Sequence, residues 1–223
     1  VCVRRVRAPS RRSLASWGFS DVLDLRERGR RQRQLCIRYS FQNRPGGFRQ
    51  VRGANGAGKT SLLRILCGLS LPEHGEVLWN GKPIGQDRSH FHAQLAYIGH
   101  APGLKLDLTA RENLLFALSL QSAHHHVDMG AVLERVGLGV SADLLCRHLS
   151  AGQLRRVAIA RLHFSSALLW ILDEPFSAID SQGVGDIETL LAAHLDTGGM
   201  IIFTSHQAIQ VSKEPVATIE LSS

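Results

Sequence analysis

Gly53-Ala-Asn-Gly-Ala-Gly-Lys59-Thr60 constrains this chain more than any other stretch. The spacing G-x-x-x-x-G-K-[ST] suits one geometry, a glycine-rich loop between a strand and a helix whose N–H groups converge on phosphate oxygens. The helix that follows aims its positive end at the same anion. Gly53, Ala54, Asn55, Gly56, Ala57, Gly58, Lys59, Thr60 and Ser61 are therefore the candidate nucleoside-triphosphate loop, with Lys59 reaching the β- and γ-phosphates and Thr60 a ligand of Mg²⁺.

The flanking sequence fits that context. Ser61-Leu-Leu-Arg-Ile-Leu66 reads as a helix with Leu62, Leu63, Ile65 and Leu66 free to face a sheet. The strand before the loop is poorer, since Phe48 and Val51 are its apolar residues among Arg49, Gln50 and Arg52. A second constellation begins at Leu149-Ser150-Ala151-Gly152-Gln153, continues as a helix-like run to Phe164, and reaches Leu168-Leu-Trp-Ile-Leu-Asp173-Glu174-Pro175. An apolar run ending in Asp-Glu reads as a buried parallel strand presenting two carboxylates at its C-terminal edge. Asp173 suits the Mg²⁺ shell. Glu174 is placed to accept a proton from a water attacking the γ-phosphate.

The order of these motifs, with Ser177-Ala-Ile-Asp180 and Thr204-Ser-His206-Gln207, resembles that of ATP-binding-cassette (ABC) ATPases. Within them the chain resembles the ATP-binding subunit of the cytochrome c maturation, or haem exporter, system. Tyr97-Ile-Gly-His100-Ala-Pro-Gly103-Leu-Lys105, Leu108-Thr-Ala-Arg-Glu-Asn-Leu114, Leu169-Trp170-Ile-Leu-Asp-Glu-Pro-Phe176 and Gly198-Gly-Met-Ile-Ile202 carry the resemblance. It is strong from about Gly53 to Gln207 and weak from Asp21 to Arg52. It implies an α/β fold of the P-loop NTPase, RecA-like type, a parallel sheet core with a small antiparallel β-subdomain and a helical subdomain at about 104–150. It also implies MgATP hydrolysis, with Glu174 and His206 catalytic, His206 contacting the γ-phosphate, and His100 standing where the family usually has a Mg²⁺-sensing Gln. Leu149, Ser150, Ala151, Gly152 and Gln153 are the signature that completes the ATP site of the opposite subunit, and Asp180 is the loop residue crossing the dimer seam. Hence a homodimer is expected to act beneath an integral membrane subunit, peripheral at the cytoplasmic face of the inner membrane, in c-type cytochrome biogenesis. A soluble, non-transport cassette ATPase and a catalytically impaired relic with a defective N-terminal β-subdomain are the alternatives.

Composition sharpens the domain reading. Residues 1–52 hold 14 Arg against 3 acidic residues, a net of +11, while residues 53–223 hold 12 basic and 16 acidic residues, a net of −4; together these give the chain's +7. The high pI thus belongs to the N-terminal part. Val1 to Ser20 has five Arg and no acid, a composition shared by transit peptides, and an over-extended reading frame is the blander expectation. Residues 1–20 are expected to lie outside the fold and 21–223 to form the nucleotide-binding domain, with no nucleic-acid partner. No apolar run approaches the roughly 18 residues that span a bilayer. Residues 21–52 should contribute an antiparallel strand pair and a group stacking on adenine, where Arg28 and Arg30 stand in place of an aromatic. Helices are expected at about 109–121 and 130–136, with a Thr109–Glu112 capping box and a stop at Gly137, and 71–81 as a turn and short strand. Cys2, Cys36, Cys67 and Cys146 form no C-x-x-C pair, and His124-His125-His126 reads as a surface loop rather than a metal or haem site.

Overall fold

The computed structural model describes residues 41–121, 127–206, 209, 211 and 216–221 in full and residues 2–4, 25–26 and 36–37 by their backbone. In chain order the strands and helices are β1 (Cys2–Arg4), β2 (Leu25–Arg26), β3 (Cys36–Ile37), β4 (Phe48–Gly53), α1 (Lys59–Leu66), β5 (Glu76–Trp79), β6 (Lys82–Pro83), α2 (Arg88–Ala93) and β7 (Leu95–Ile98). There follow α3 (Ala110–Ser119), α4 (Met129–Arg135), α5 (Ala151–Ala160), β8 (Leu169–Asp173), α6 (Ser181–Asp196), β9 (Met200–Thr204) and β10 (Ala217–Leu221).

Five strands form a wholly parallel sheet in the order β10-β4-β9-β8-β7. Parallel strands must be covered on both faces, so their sequences are continuous apolar runs rather than alternating ones. Leu169 and Ile171 point to one side, into a cluster with Leu62, Leu63, Ile65 and Leu66 of α1. Trp170 and Leu172 point to the other, against Ile159 of α5 and Ile187, Leu191 and Leu195 of α6. Each such aliphatic side chain, once buried, contributes about 1.5–3 kcal/mol. Trp170 stacks on His194 of α6 with ring centroids 3.7 Å apart and planes 6° apart. A Cβ at Gly199 would run into the His194 ring, so the Gly198-Gly199 turn lets β9 enter the sheet past that stack.

β4 carries polar residues yet lies inside the sheet, between β10 and β9. Its polar groups are satisfied locally. Buried Gln50 donates to the Ser205 carbonyl at 2.9 Å and accepts from Arg52 Nε at 2.8 Å. Arg49 donates to the Gln42 carbonyl at 2.6 Å, with its guanidinium over the Phe41 ring.

A second, antiparallel sheet has the order β1-β5-β6, and β2 pairs antiparallel with β3. The sequence reading leaves residues 1–20 outside the fold; instead Cys2–Arg4 form a ladder with Glu76, Val77 and Leu78. An unpaired edge at β5 offers free backbone donors and acceptors, which this short strand takes up. The third core cluster lies under α3, α4 and the start of α5, where Leu114, Val132, Leu133, Leu138 and Val157 meet. It is the helical subdomain, and the capping box of Thr109 with Glu112 starts α3 as expected. Gly137, at φ 68°, follows the end of α4.

Candidate active site

The phosphate loop leaves the C-terminal end of β4 and enters α1 through Gly58, which is left-handed at φ 92° and has no side chain to strain. Among the described residues no side chain caps α1, and its first turn holds no acid. Its leading N–H groups are thus free for an anion at the positive end of the helix dipole. Lys59 folds back over the loop and donates to the Gly53 carbonyl at 2.8 Å and the Ala54 carbonyl at 3.2 Å. Ala57 differs from its neighbours, because its side chain is buried in the core below the loop.

Asp173 ends β8, opposite Thr204 at the end of β9. Its buried carboxylate accepts from the Thr60 hydroxyl at 2.8 Å and from the Thr204 hydroxyl at 2.7 Å. Thr204 Oγ1 in turn accepts from the Glu174 N–H at 2.8 Å. Glu174 adopts φ 52°, a left-handed conformation that costs an L-residue roughly 1–2 kcal/mol. Its Oε1 is buried without a hydrogen-bond partner, and His206 Nε2 stands 3.5 Å away, an ion-pair distance rather than a hydrogen bond. Glu174 thus stands at the cavity with a carboxylate oxygen free to accept a hydrogen bond, the placement a general base requires.

These groups surround one open cavity of about 580 Å³, within the roughly 300–1,000 Å³ range of small-molecule sites. Asn55, Gly56, Gly58, Lys59, Thr60 and Ser61 line one side, and His100, Asp173, Glu174, Ser177 and His206 line the other. The hydroxyl of Thr60 and the carboxylate of Asp173 are hard oxygen donors, the set that Mg²⁺ accepts together with substrate phosphates and water. Donors, dipole and cavity therefore fit a magnesium nucleoside triphosphate.

The signature lies elsewhere, and residues 149–153 do not line this cavity. Ser150 caps α5 in a reciprocal box, accepting from the Gln153 N–H at 3.2 Å while Gln153 Oε1 accepts from the Ser150 N–H at 2.8 Å. Leu149 is buried in the helical subdomain and Ala151 is exposed. Gly152 sits so close to the Ala178 carbonyl that a Cβ would overlap it. Asp180, expected at a dimer seam, already has work within the chain. Its side chain accepts from the Gly183 N–H at 2.8 Å, capping α6, and meets Arg156 Nη2 at 2.5 Å. The Gly183 N–H, followed by Arg156, holds its carboxyl below the usual range.

Three residues with a part in the site are given no role by the sequence reading: Thr204 stands inside a quoted motif, while Gln50 and Arg155 belong to none. Thr204 bridges Asp173 and Glu174, Gln50 holds the carbonyl of the residue before His206, and Arg155 grips the backbone beneath Glu174. Arg28, Arg30, Gln207 and the His124–126 run lie outside the described residues. Among the described residues there is no helix long and apolar enough to cross a membrane.

Comparison with known proteins agrees with the geometry. The profile of the ABC transporter family matches residues 37–177. Over 195 residues the chain is 46% identical to the cytochrome c biogenesis ATP-binding export protein CcmA of Nitrosococcus oceani, covering 87% of this chain and 88% of that protein. It is also 46% identical over 196 residues to the protein of the same name from Escherichia coli, covering 86% and 92%. Among solved structures, a dimeric ATP-binding cassette bound to ADP and Pi has a TM-score of 0.73 at 21% identity, covering 83% of this chain and 87% of that one. An ABC transporter ATP-binding protein from Pyrococcus furiosus has a TM-score of 0.71 at 22% identity, covering 90% and 96%. At these identities the structural likeness speaks for the fold.

Proposed function

The chain belongs to the ABC transporter family and, within it, to the cytochrome c biogenesis ATP-binding export proteins, and from this premise we propose that two copies close head to tail over two MgATP molecules beneath an integral membrane partner. It is the ATP-hydrolysing subunit of that export system. The observation that carries the site assignment is the meeting of Lys59, Thr60, Asp173, Glu174 and His206 around one cavity.

Lys59 exchanges its neutral loop carbonyls for the anionic β- and γ-phosphate oxygens, a stronger partner for an ammonium. Thr60 and Asp173 would hold Mg²⁺, which would supply charge neutralisation and orientation at the phosphates. Glu174 takes the proton of the attacking water, and His206 holds that carboxylate and the γ-phosphate in line. His100 faces the same space from the loop after β7, where either ring nitrogen can serve a water or phosphate oxygen. In-line transfer asks little covalent chemistry of the protein, so positioning supplies most of the acceleration.

The place of the signature supports the dimer. Ser150 and Gly152, at the start of α5, do not line their own cavity, and in the proposed dimer the second copy brings this helix N-terminus to complete the phosphate cage. Hydrolysis then releases the interface and moves the membrane partner, at the cytoplasmic face of the inner membrane.

The test is the solution mass of Glu174→Gln, by light scattering after gel filtration, with and without MgATP. A nucleotide-dependent shift from monomer to dimer is expected. A folded monomer under both conditions, with wild-type rates of phosphate release, overturns the reading.

A further inference from the structure

Arg155 stands in α5, five residues after Ser150, and is 3% exposed. Among the described residues every hydrogen bond of its guanidinium goes to a main-chain carbonyl. Nη1 donates to Gly99 at 2.7 Å and to His100 at 3.4 Å. Nη2 donates to Asp173 and, at 2.6 Å, to Glu174, and Nε reaches the same Glu174 carbonyl at 3.2 Å. One planar fork thus ties the signature helix to the ends of β7 and β8, from which His100 and Glu174 face the phosphate loop.

We infer that Arg155 is a positioning residue for hydrolysis, holding the left-handed turn at Glu174 and the loop at His100 in their working geometry. The Glu174 residue is gripped at both ends, its N–H by Thr204 Oγ1 at 2.8 Å and its carbonyl by Arg155. Those two bonds oppose the relaxation of a backbone at φ 52°. If the turn relaxed, the side chain leaving Cα would swing away from the phosphate loop, although no motif residue had been altered. A fully buried cation is expensive to desolvate, and an apolar side chain of similar size would fill the volume more cheaply. What an apolar residue lacks is five N–H donors in a fixed plane, and a lysine lacks the plane. The arrangement uses that plane to bind carbonyls from two strand ends at once.

This inference rests on Glu174 being the base, so Glu174→Gln is assayed beside it. Arg155→Gln keeps an amide that can hold one of the carbonyls, and Arg155→Lys keeps the charge without the fork. For each, thermal unfolding, affinity for a non-hydrolysable ATP analogue, kcat and KM are measured. A catalytic group misplaced by about 1 Å loses on the order of 10²-fold in rate. A fall in kcat of roughly that size is expected in Arg155→Gln, with KM and analogue affinity within about threefold of wild type. Guanidinium ion at low millimolar concentration should recover part of the kcat of Arg155→Ala without changing KM. Should Arg155→Gln fail to fold, Arg155→Lys is the variant expected to fold and show the same loss of kcat. Wild-type kcat in either folded variant overturns the inference. So does a loss that affects analogue affinity, KM and unfolding temperature together and is not rescued by guanidinium. If Glu174→Gln itself turns over at the wild-type rate, the assignment of the base fails instead.

Discussion

The Thr60 hydroxyl donates to Asp173 Oδ2 at 2.8 Å, a bond spanning 113 residues that joins the first turn of α1 to the end of β8. It sets side by side two hard oxygen donors of the kind Mg²⁺ accepts. Asp173 keeps a second donor, Thr204, so losing Thr60 leaves the carboxylate anchored. Thr60→Val should therefore fold and bind nucleotide in the absence of metal as before. Its Mg²⁺ requirement should rise, and turnover at fixed Mg²⁺ should fall by at least roughly 10-fold, since loss of even an outer-shell partner of a metal ligand costs about 10–100-fold. Phosphate release across a Mg²⁺ titration is the measurement, and chelation of all Mg²⁺ should stop turnover in wild type and variant alike.

Gly152 gives a prediction that separates the single chain from its dimer. A Cβ there meets the Ala178 carbonyl, which is main chain and cannot swing aside. Overpacking of this kind costs typically 1–3 kcal/mol. Gly152→Ala should lower the unfolding free energy of the isolated monomer by about that much, without nucleotide. A loss confined to ATP-driven dimerisation, with unchanged denaturant midpoint, would show that Ala178 yields freely.

Asn113 anchors the helical subdomain from within α3. Its Oδ1 accepts from the Lys105 N–H at 2.9 Å, and its Nδ2 reaches the carbonyls of Lys105 at 2.9 Å and Thr109 at 3.0 Å and Cys146 Sγ at 3.2 Å. Leucine has the same branched outline, is somewhat larger, and makes none of these bonds. Leaving buried polar groups unpaired costs about 1–3 kcal/mol each, so Asn113→Leu should destabilise by at least about 2 kcal/mol in urea melts. Amide exchange should quicken first between Lys105 and Cys146.

What was legible in the sequence follows the physics of each feature. The phosphate loop is a backbone conformation, and few sequences adopt it, so its residues could be placed directly. β8 and β9 are short apolar runs because both faces of a parallel sheet are covered, and they too could be read. β4 was harder, since Gln50 is buried by virtue of a partner 155 residues away at Ser205. Asp180 carried two messages; read as a seam residue, it also caps α6, a helix the sequence reading passes over along with α2 and β10. The pairing of Cys2–Arg4 with β5 is a contact of distant segments, and local composition, rich in arginine, points away from it. Arg155 was invisible because its partners are carbonyls, which every residue has.

Acid should destabilise the fold through His194 and His163. Burial pushes both imidazoles below their ordinary value, with Arg135 adding to the effect on His163. A histidine whose folded value is lowered binds its proton more readily when unfolded. Above about pH 6.5, the ordinary value for histidine, both states are largely neutral and the full stability is present. As pH falls below that value the unfolded chain takes up protons that the folded chain refuses, and stability drops by up to about 1.4 kcal/mol per pH unit for each group. The loss stops growing once pH passes below the folded value. His194 lies flat against Trp170, a contact that a phenyl ring can reproduce. His194→Phe should therefore keep the stack while removing its share of the acid-side slope, flattening unfolding free energy between pH 7 and 5 as read by urea melts at each pH. An unchanged slope would assign the acid sensitivity to His163 or to carboxylates, and His163→Phe in the same series would distinguish the two.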